Sequence, residues 1–198
     1  MKTVCVFCGS SAGNRNSYKA AAHNLGRILA GKGITLIYGG SNVGLMAIIA
    51  DEVLAHGGKV IGIMPDSLIE KEVAHSGLTE FVRVGSMSER KEMMIQMADG
   101  FIAMPGGVGT LDEIFEVMSS NQLGLISKPM GLLNTDQYWN QLLAFLDHAV
   151  KEKFVRIEHR SNLIAEENEI ALIETMEHFI PKEVDNKDWI AGLRSTMS

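Results

Sequence analysis

The sequence predicts an α/β protein with a Rossmann-like, doubly wound and mostly parallel sheet that has helices on both faces. Apolar, β-rich runs alternate with segments of helical periodicity along most of the chain. Several of those runs are apolar nearly throughout, as is typical of strands that are covered on both faces. The repetition of strand, helix and strand predicts parallel pairing with right-handed crossovers.

Each element follows from its local pattern. Six runs have the composition of strands: TVCVFC (3–8), ITLIY (34–38), KVIGIM (59–64), EFVRV (80–84), GFIAM (100–104) and KPMGLL (128–133). Helical periodicity predicts helices at about 16–31, 43–56, 87–98, 110–124 and 136–153, and a last one near 167–180 after the short apolar piece NLIA (162–165). We therefore expect a single domain over 1–180 and a polar tail over 181–198.

Composition limits the classes of function. With 46% hydrophobic and 21% charged residues, the chain has the composition of a soluble globular protein. Its formal net charge of -6 argues against a nucleic-acid or membrane-surface partner. No apolar run approaches the roughly 18–20 residues of a membrane span. The apolar part of the N-terminal MKTVCVFCGSS is short, which predicts a first strand rather than a signal peptide, and we expect a cytoplasmic protein.

The two cysteines, Cys5 and Cys8, form a C-x-x-C pattern. Redox-active pairs of this spacing sit at the start of a helix, whereas these two lie on a predicted strand. Positions three apart on a strand point to opposite faces. The pattern therefore predicts buried, reduced thiols rather than a redox pair.

Small residues follow three of the predicted strands, at 8–11, 38–41 and 104–107. In open α/β sheets, ligands bind outside the carboxyl ends of the strands, where the topology changes direction. Glycine there lets backbone N–H groups approach a ligand with no Cβ in the way. A single such turn is usually a helix cap or a tight loop, but three on one edge favour a ligand site. We count Ser10 and Gly40 among its candidate binding residues.

Two familiar phosphate-binding motifs do not fit the chain. A Walker loop requires G-x-x-x-x-G-K-[ST], and no glycine in this sequence is followed by Lys-Ser or Lys-Thr. A dinucleotide fingerprint requires G-x-G-x-x-G after the first strand and an acid that closes the second. Here the first turn reads GSSAG and the second strand ends in Tyr38-Gly39-Gly40, so we expect neither NAD nor FAD.

The stretch MPGGVGTLDE (104–113) is the strongest candidate for an anion site. The first N–H groups of the helix that it opens lack intrahelical partners, and the helix dipole favours negative charge there. A phosphate would satisfy both. The competing explanation is a capping box, in which Thr110 and Glu113 cap the helix themselves; it leaves the second acid, Asp112, unexplained. The residues that would hold the anion are Gly106, Gly107, Gly109 and Thr110.

Two cations, Arg90 and Lys91, lie in GSMSERKEMMIQMADG (85–100). A helix that starts at Ser86 or Ser88 places both in its early turns, where basic side chains oppose the dipole. That helix follows a strand, so Arg90 lies on the same edge as the glycine turns. A solvated charged face is the commoner fate of such a pair, and the pattern leaves that alternative open.

These residues closely resemble the motifs of a known family. The segments SM-x-x-RK at 86–91 and PGG-x-GT-x-x-E at 105–113 are similar to those of the LOG (Lonely Guy) family of cytokinin riboside 5'-monophosphate phosphoribohydrolases, which also carry the older label lysine decarboxylase. The likeness covers roughly residues 3–155. It includes VCVFCGSSAG, YGGSNVGLMAIIAD, VIGIMP and QLGLISKPMGLLNTDQYWNQLL in family order.

The resemblance implies a nucleotide-binding domain that hydrolyses the N-glycosidic bond of a nucleoside 5'-monophosphate, releasing free base and ribose 5-phosphate. The substrate would be AMP or an N6-modified AMP such as a cytokinin riboside monophosphate. The resemblance also implies a homodimer, with contacts from the helices near 87–98 and 110–124, and no metal or cofactor.

The implied site comprises Arg90 and Glu113 as the catalytic pair, and Gly106, Gly107, Gly109, Thr110 and Lys91 as phosphate or substrate contacts. The chain departs from the family pattern at Ser41, Ser88, Ser120 and Asn121, which leaves the base open.

The chemistry of the residues agrees with that activity. Breaking the C1'–N bond proceeds through an oxocarbenium-like sugar. Glu113 could stabilise this cation and activate water, and Arg90 could orient Glu113 or neutralise charge on the departing base. The alternative is a non-catalytic nucleotide or molybdenum-cofactor carrier, since such proteins share glycine-rich edges. The acid beside the phosphate site favours the enzyme, and no Lys stands in a convincing pyridoxal-phosphate setting for a decarboxylase.

Overall fold

The computed structural model describes residues 1–69 and 74–182. Its strands are β1 (Thr3–Phe7), β2 (Thr35–Tyr38), β3 (Val60–Pro65), β4 (Glu80–Val84), β5 (Gly100–Ala103), β6 (Met130–Leu133) and β7 (Leu163–Glu166). Its helices are α1 (Asn16–Gly31), α2 (Gly44–Ala55), α3 (Asp66–Ile69), α4 (Met87–Met97), α5 (Val108–Gln122), α6 (Asn140–Lys151), α7 (Ile157–Ser161) and α8 (Glu169–Glu177).

The seven strands form one parallel sheet in the order β4-β3-β2-β1-β5-β6-β7. The chain runs outward from β1 to β4 and then returns to β5 on the other side of β1. Val4 of β1 lies opposite Leu36 of β2 on one side and Gly100 of β5 on the other. The predicted doubly wound α/β fold is confirmed, and its topological switch point lies between β1 and β5.

Apolar side chains cover both faces of the sheet in two core layers. Tyr18, Leu25 and Ile49 belong to the layer under α1 and α2, whereas Phe101 and Ile114 belong to the layer under α4 and α5. Strands β1, β2, β5 and β6 are buried almost throughout, which explains their continuous apolar runs.

The cysteine prediction is confirmed. Cys5 belongs to the core layer under α4 and α5 and Cys8 to the opposite one, and both are buried free thiols. Burial is the main reason that the pKa of each thiol lies above its ordinary value. These thiols therefore behave as small apolar side chains.

The structure also contains elements that the pattern did not predict. Residues 163–165 of the piece NLIA lie in β7, which pairs with β6 at the sheet edge, and only Leu163 of that strand is buried. Because this edge strand is half-exposed, its run of apolar residues is too short to be recognised as a strand. The helix predicted over 136–153 begins at Asn140, after a 3₁₀ turn at Thr135–Gln137.

The predicted tail falls almost wholly on residues 183–198, which lie outside the described residues. Within the described ranges, no helix combines the length and the apolar character needed to cross a membrane.

Candidate active site

The carboxyl ends of β1, β2 and β5 meet at a cleft of about 240 Å³. The Gly9 N–H donates to the Pro105 carbonyl (3.1 Å), and the Leu45 N–H donates to the Gly9 carbonyl (3.1 Å), so the three strand ends are tied together. Gly44 has a φ of +61°, and a Cβ there would collide with the backbone of Ser10. The glycine turns therefore share one edge, as predicted, and Gly9, Gly39 and Gly107 line the cleft there.

Helix α4 delivers the basic residues. Ser86 is its N-cap and accepts a hydrogen bond from the Glu89 N–H (3.1 Å), while Glu89 Oε2 accepts one from the Gly85 N–H (2.7 Å). This reciprocal capping fixes where the helix begins. Arg90, about one turn into the helix, consequently points toward the sheet and is only 6% exposed.

The guanidinium of Arg90 occupies the centre of the cleft wall. Its Nη2 would collide with a Cβ at position 39, so Gly39 is required to admit it. Nη2 lies 4.0 Å from Glu113 Oε1, and Nη1 donates to the sulfur of Met87 at 3.6 Å. The Nε atom is buried with no hydrogen-bond partner among the described residues. The cation is therefore weakly compensated and can serve a polar or anionic ligand.

Glu113 lies on α5, facing Arg90, with its side chain 15% exposed. Burial, the largest influence, raises the pKa of Glu113 to about 7. Arg90 and Lys91 oppose this rise, and the neighbouring acids Asp112 and Glu116 add to it. A carboxyl group with a pKa near 7 exists in both protonation states at neutral pH, which suits a group that takes up and releases a proton.

Lys91 lies at the mouth of the cleft, where its ammonium group is paired with two acids. Its Nζ bonds Asp112 Oδ2 at 3.0 Å and also Glu116, and these hydrogen bonds, that of Glu116 foremost, raise the pKa of Lys91. The structure thus joins α4 to α5 through this lysine. Its role as a substrate contact stays a prediction.

The start of α5 decides between the two explanations of the glycine-rich stretch. The helix begins at Val108 with Gly107 as its N-cap, and no described side chain caps it. Thr110 lies inside the helix and is not its cap; it is buried against Gly106, where an added Cβ would collide with Thr110 Oγ1. The capping-box alternative at Thr110 and Glu113 is therefore wrong.

Two glycines at this helix start lie against open space. A Cβ added at Gly107 or Gly109 would meet no atom of the described chain within 4 Å. Neither residue has a positive φ. Packing and backbone conformation therefore do not require glycine at either position. A ligand that closely approaches the unpaired N–H groups of α5 would require that space.

The remaining candidate residues lie at different places. Ser10 lines the cleft and also a second cavity of about 300 Å³, which Gly106 lines as well. Gly40 does not line the cleft: its φ is +80°, a Cβ there would meet Phe81 and β3, and its carbonyl accepts from the His75 N–H (3.0 Å).

The residues that depart from the family pattern do not line the cleft. Ser41 is fully buried, and its hydroxyl has no partner among the described residues. Ser88 is exposed on α4. Asn121 lies at the far end of α5, where its side chain bonds the backbone N–H (3.0 Å) and carbonyl (3.1 Å) of Lys128. Ser120 is its neighbour on that turn.

Sequence reasoning missed one polar residue beside the glycine loop. Tyr138, in the connection between β6 and α6, donates its hydroxyl to the Gly106 carbonyl at 2.6 Å. The useful signal would have been its position after a fourth strand whose carboxyl end reaches the same edge. In the described part of the chain, no cluster of three or more His, Cys, Asp or Glu side chains could hold a metal ion.

Comparisons with known proteins match this chain over most of its length. A family model described as "Possible lysine decarboxylase" matches residues 46–176. A probable cytokinin riboside 5'-monophosphate phosphoribohydrolase of Oryza sativa subsp. japonica is 45% identical over 180 residues, covering 91% of this chain and 79% of the relative. A cytokinin riboside 5'-monophosphate phosphoribohydrolase of Arabidopsis thaliana is 42% identical over 191 residues, covering 95% and 90%.

Among solved structures, the molybdenum cofactor carrier protein of Chlamydomonas reinhardtii has a TM-score of 0.67 at 17% identity, covering 89% of this chain and 98% of that one. The molybdenum cofactor binding protein of Rippkaea orientalis has a TM-score of 0.64 at 23% identity, covering 88% and 93%. At these identities the likeness shows the fold alone. The family match and the identity to the plant relatives decide the family: the chain belongs to the LOG family of cytokinin riboside 5'-monophosphate phosphoribohydrolases.

Proposed function

We propose that this chain hydrolyses the N-glycosidic bond of a nucleoside 5'-monophosphate, releasing the free base and ribose 5-phosphate. One observation carries the proposal: the buried Arg90 and the partly buried Glu113 lie side by side in a cleft that also contains the uncapped start of α5. The cleft thus places an acid near the N-terminus of a helix that can bind phosphate. This arrangement suits a substrate that is anionic at one end and becomes cationic at its sugar. The named activity of the plant relatives supports the same reaction.

The 5'-phosphate is bound at the start of α5. The backbone N–H groups that follow Gly107 lack both intrahelical partners and a described side-chain cap, and the helix dipole favours an anion there. The space beside Gly107 and Gly109 admits the phosphate oxygens. Binding energy from this remote group then positions the sugar against Glu113.

The bond is broken by water with Glu113 as base. As the C1'–N bond breaks, its electron pair leaves with the base and the sugar becomes oxocarbenium-like. Ionised Glu113 stabilises that cation and accepts a proton from the water whose oxygen bonds to C1'. The departing base takes up a proton from solvent and Glu113 releases the one that it accepted, so that the hydroxyl of water ends on C1' and a proton on the base. Arg90 donates hydrogen bonds that orient Glu113 or offset the charge on the departing base.

The test is to incubate the pure protein with AMP and with isopentenyl-AMP and to follow base and ribose 5-phosphate by chromatography. We expect release from one or both by wild type and little from Glu113→Gln or Arg90→Ala. A wild type that binds a nucleotide tightly but releases no base is a carrier, and the proposal then fails. Variants that match wild type refute the assignment of these two residues even if the activity stands. The nucleotide that is cleaved faster shows whether the preferred base is adenine or an N6-modified adenine.

The protein acts as a homodimer in the cytoplasm. Phe115, Leu123 and Leu125 are exposed apolar side chains on and just after α5, one of the two helices from which we expect the dimer contact. The buried free thiols agree with a reducing compartment. Sedimentation of the pure chain tests the dimer, since a monomeric mass contradicts it.

Residues 1–180 suffice as the nucleotide-binding domain. A chain truncated after Lys182 keeps every described element of the sheet. It should therefore keep the melting temperature and the activity of the full chain. Loss of either shows that the remaining residues belong to the domain.

A further inference from the structure

The connection between β6 and α6 reaches across to the glycine loop in front of α5. Tyr138 is the residue that makes this contact, through its hydroxyl and the Gly106 carbonyl at 2.6 Å. The Tyr138 ring packs edge-to-face on Tyr18 (centroids 5.8 Å apart) and on Trp139 (4.8 Å). The hydroxyl is thus held in place by aromatic packing on two sides.

The backbone that carries Tyr138 is strained. Asp136 and Gln137, neither of them glycine, both have left-handed conformations with φ of 52° and 60°. Such conformations are unfavourable for residues with a Cβ and persist only where their surroundings impose them. Strain directly before Tyr138 indicates that the position of this side chain is imposed by the fold.

Several hydrogen bonds impose that turn. Asn134 Oδ1 accepts from the Trp139 N–H (2.7 Å), and Asn134 Nδ2 donates to Asn140 Oδ1 (2.8 Å). The Asp136 carboxylate bonds the hydroxyl of Ser17 and pairs with Arg15 (3.4 Å) at the start of α1. The hydrogen bond from Ser17 is the main reason that the pKa of Asp136 lies below its ordinary value.

The contact fixes the orientation of one peptide unit. In a trans peptide the C=O and the N–H point in opposite directions, and the described chain contains no cis peptide. When the Gly106 carbonyl points to Tyr138, the Gly107 N–H of the same unit points away from it. Gly107 lines both the cavity that contains Tyr138 and the cleft that contains Glu113, so the cleft is the other space that this peptide borders.

We propose that Tyr138 is a positioning residue that orients the Gly106–Gly107 peptide so that the Gly107 N–H donates to the 5'-phosphate of the substrate. The inference rests on the proposed function, because it requires the phosphate to bind at the start of α5. Tyr138 acts through the loop and not on the reacting atoms. Its loss therefore weakens the binding of phosphorylated ligands and leaves the chemistry at Glu113 intact.

The test is Tyr138→Phe, which removes the hydroxyl and keeps the ring. For hydrolysis of AMP we expect KM to rise about 3- to 10-fold, the usual worth of one hydrogen bond, while kcat and its pH profile match wild type. Tyr18→Phe is the matched control, because it alters the neighbouring ring and keeps the bond to Gly106. A lower melting temperature with an unchanged KM, or a kcat that falls as much as KM rises, overturns the proposal.

Titration calorimetry with ribose 5-phosphate separates this proposal from the proposed function. If wild type cleaves no nucleotide, the proposed function fails. Binding of ribose 5-phosphate that is about 3- to 10-fold weaker in Tyr138→Phe still supports the positioning role. Equal affinities, or no binding by either protein, overturn that role, whereas the proposed function stands or falls with the cleavage of nucleotide.

Discussion

Helices α4 and α5 both start at the edge of the sheet beside the cleft, yet their first turns are built in opposite ways. The start of α4 is capped by its own side chains, since Ser86 accepts from the Glu89 N–H and the Glu89 carboxylate accepts from the Gly85 N–H. The start of α5 has a glycine N-cap and no capping side chain among the described residues. A capped start serves to place a side chain, here Arg90, whereas an uncapped start offers its N–H groups to a ligand.

The two helices also contribute opposite charges to one pair. Arg90 comes from the capped helix, which begins at Met87, and Glu113 comes from the second turn of the uncapped helix, which begins at Val108. The two side chains meet at 4.0 Å because both helix starts are fixed at the same edge of the sheet. We therefore expect substitutions at the two starts to affect different quantities, namely stability at α4 and ligand binding at α5.

The largest effect is expected from Glu113→Gln. Because burial raises the pKa of Glu113 to about 7, kcat of wild type should rise with pH as this carboxyl group loses its proton. The variant has no base, so its kcat should be about 10²- to 10⁴-fold lower than that of wild type. Its kcat should also no longer rise with pH. Rate measurements on AMP between pH 5 and 9 check this. Glu92→Gln, which alters an exposed acid of α4, should keep the wild-type profile.

The same variant tests the sign of the linkage to stability. A carboxyl group whose pKa is raised in the folded state stabilises the fold at low pH, and that contribution is lost as the pH rises toward 7. The free energy of unfolding of wild type, relative to Glu113→Gln, should therefore fall between pH 5 and pH 8. A difference that stays constant, or that grows with pH, contradicts the raised pKa.

An intermediate effect is expected from Gly109→Ala at the uncapped start. The added Cβ meets no described atom, so the variant should fold with an unchanged or higher melting temperature, alanine being favoured over glycine in a helix by about 1 kcal/mol. It should nevertheless bind phosphorylated ligands more weakly, with KM for AMP higher by on the order of tenfold, because the Cβ enters the space that the phosphate needs. Gly106→Ala is the contrasting control, since its Cβ would clash with Thr110 and lower the melting temperature.

How far the sequence predicts this site depends on whether the signal is local. Arg90 could be placed because a helix start at Ser86 fixes its register within a few residues. The start of α5, predicted at 110 but observed at Val108, could not, because Gly106 just before it packs against Gly9, which only the fold brings near.

In the rest of the fold, too, only features with a local sequence signal could be predicted. The parallel core was predictable because buried strands are apolar throughout, whereas β7 was not, because it is short and half-exposed at the sheet edge. Tyr138 was missed because its hydroxyl reaches Gly106 across 32 residues of sequence. The left-handed turn before it is made by Asp136 and Gln137, without the glycine that would have signalled it.

The smallest effect is expected from Ser86→Ala at the capped start. Loss of the N-cap should lower the stability of the fold by about 1 kcal/mol, which corresponds to roughly 2–4 °C in melting temperature for a chain of this size. KM for AMP should stay unchanged, because Ser86 caps the Glu89 N–H and does not line the cleft. Ser88→Ala removes an exposed hydroxyl two residues along and should change neither quantity. If Ser86→Ala instead raised KM as strongly as Gly109→Ala, the two helix starts would share one role, and the contrast between them would be lost.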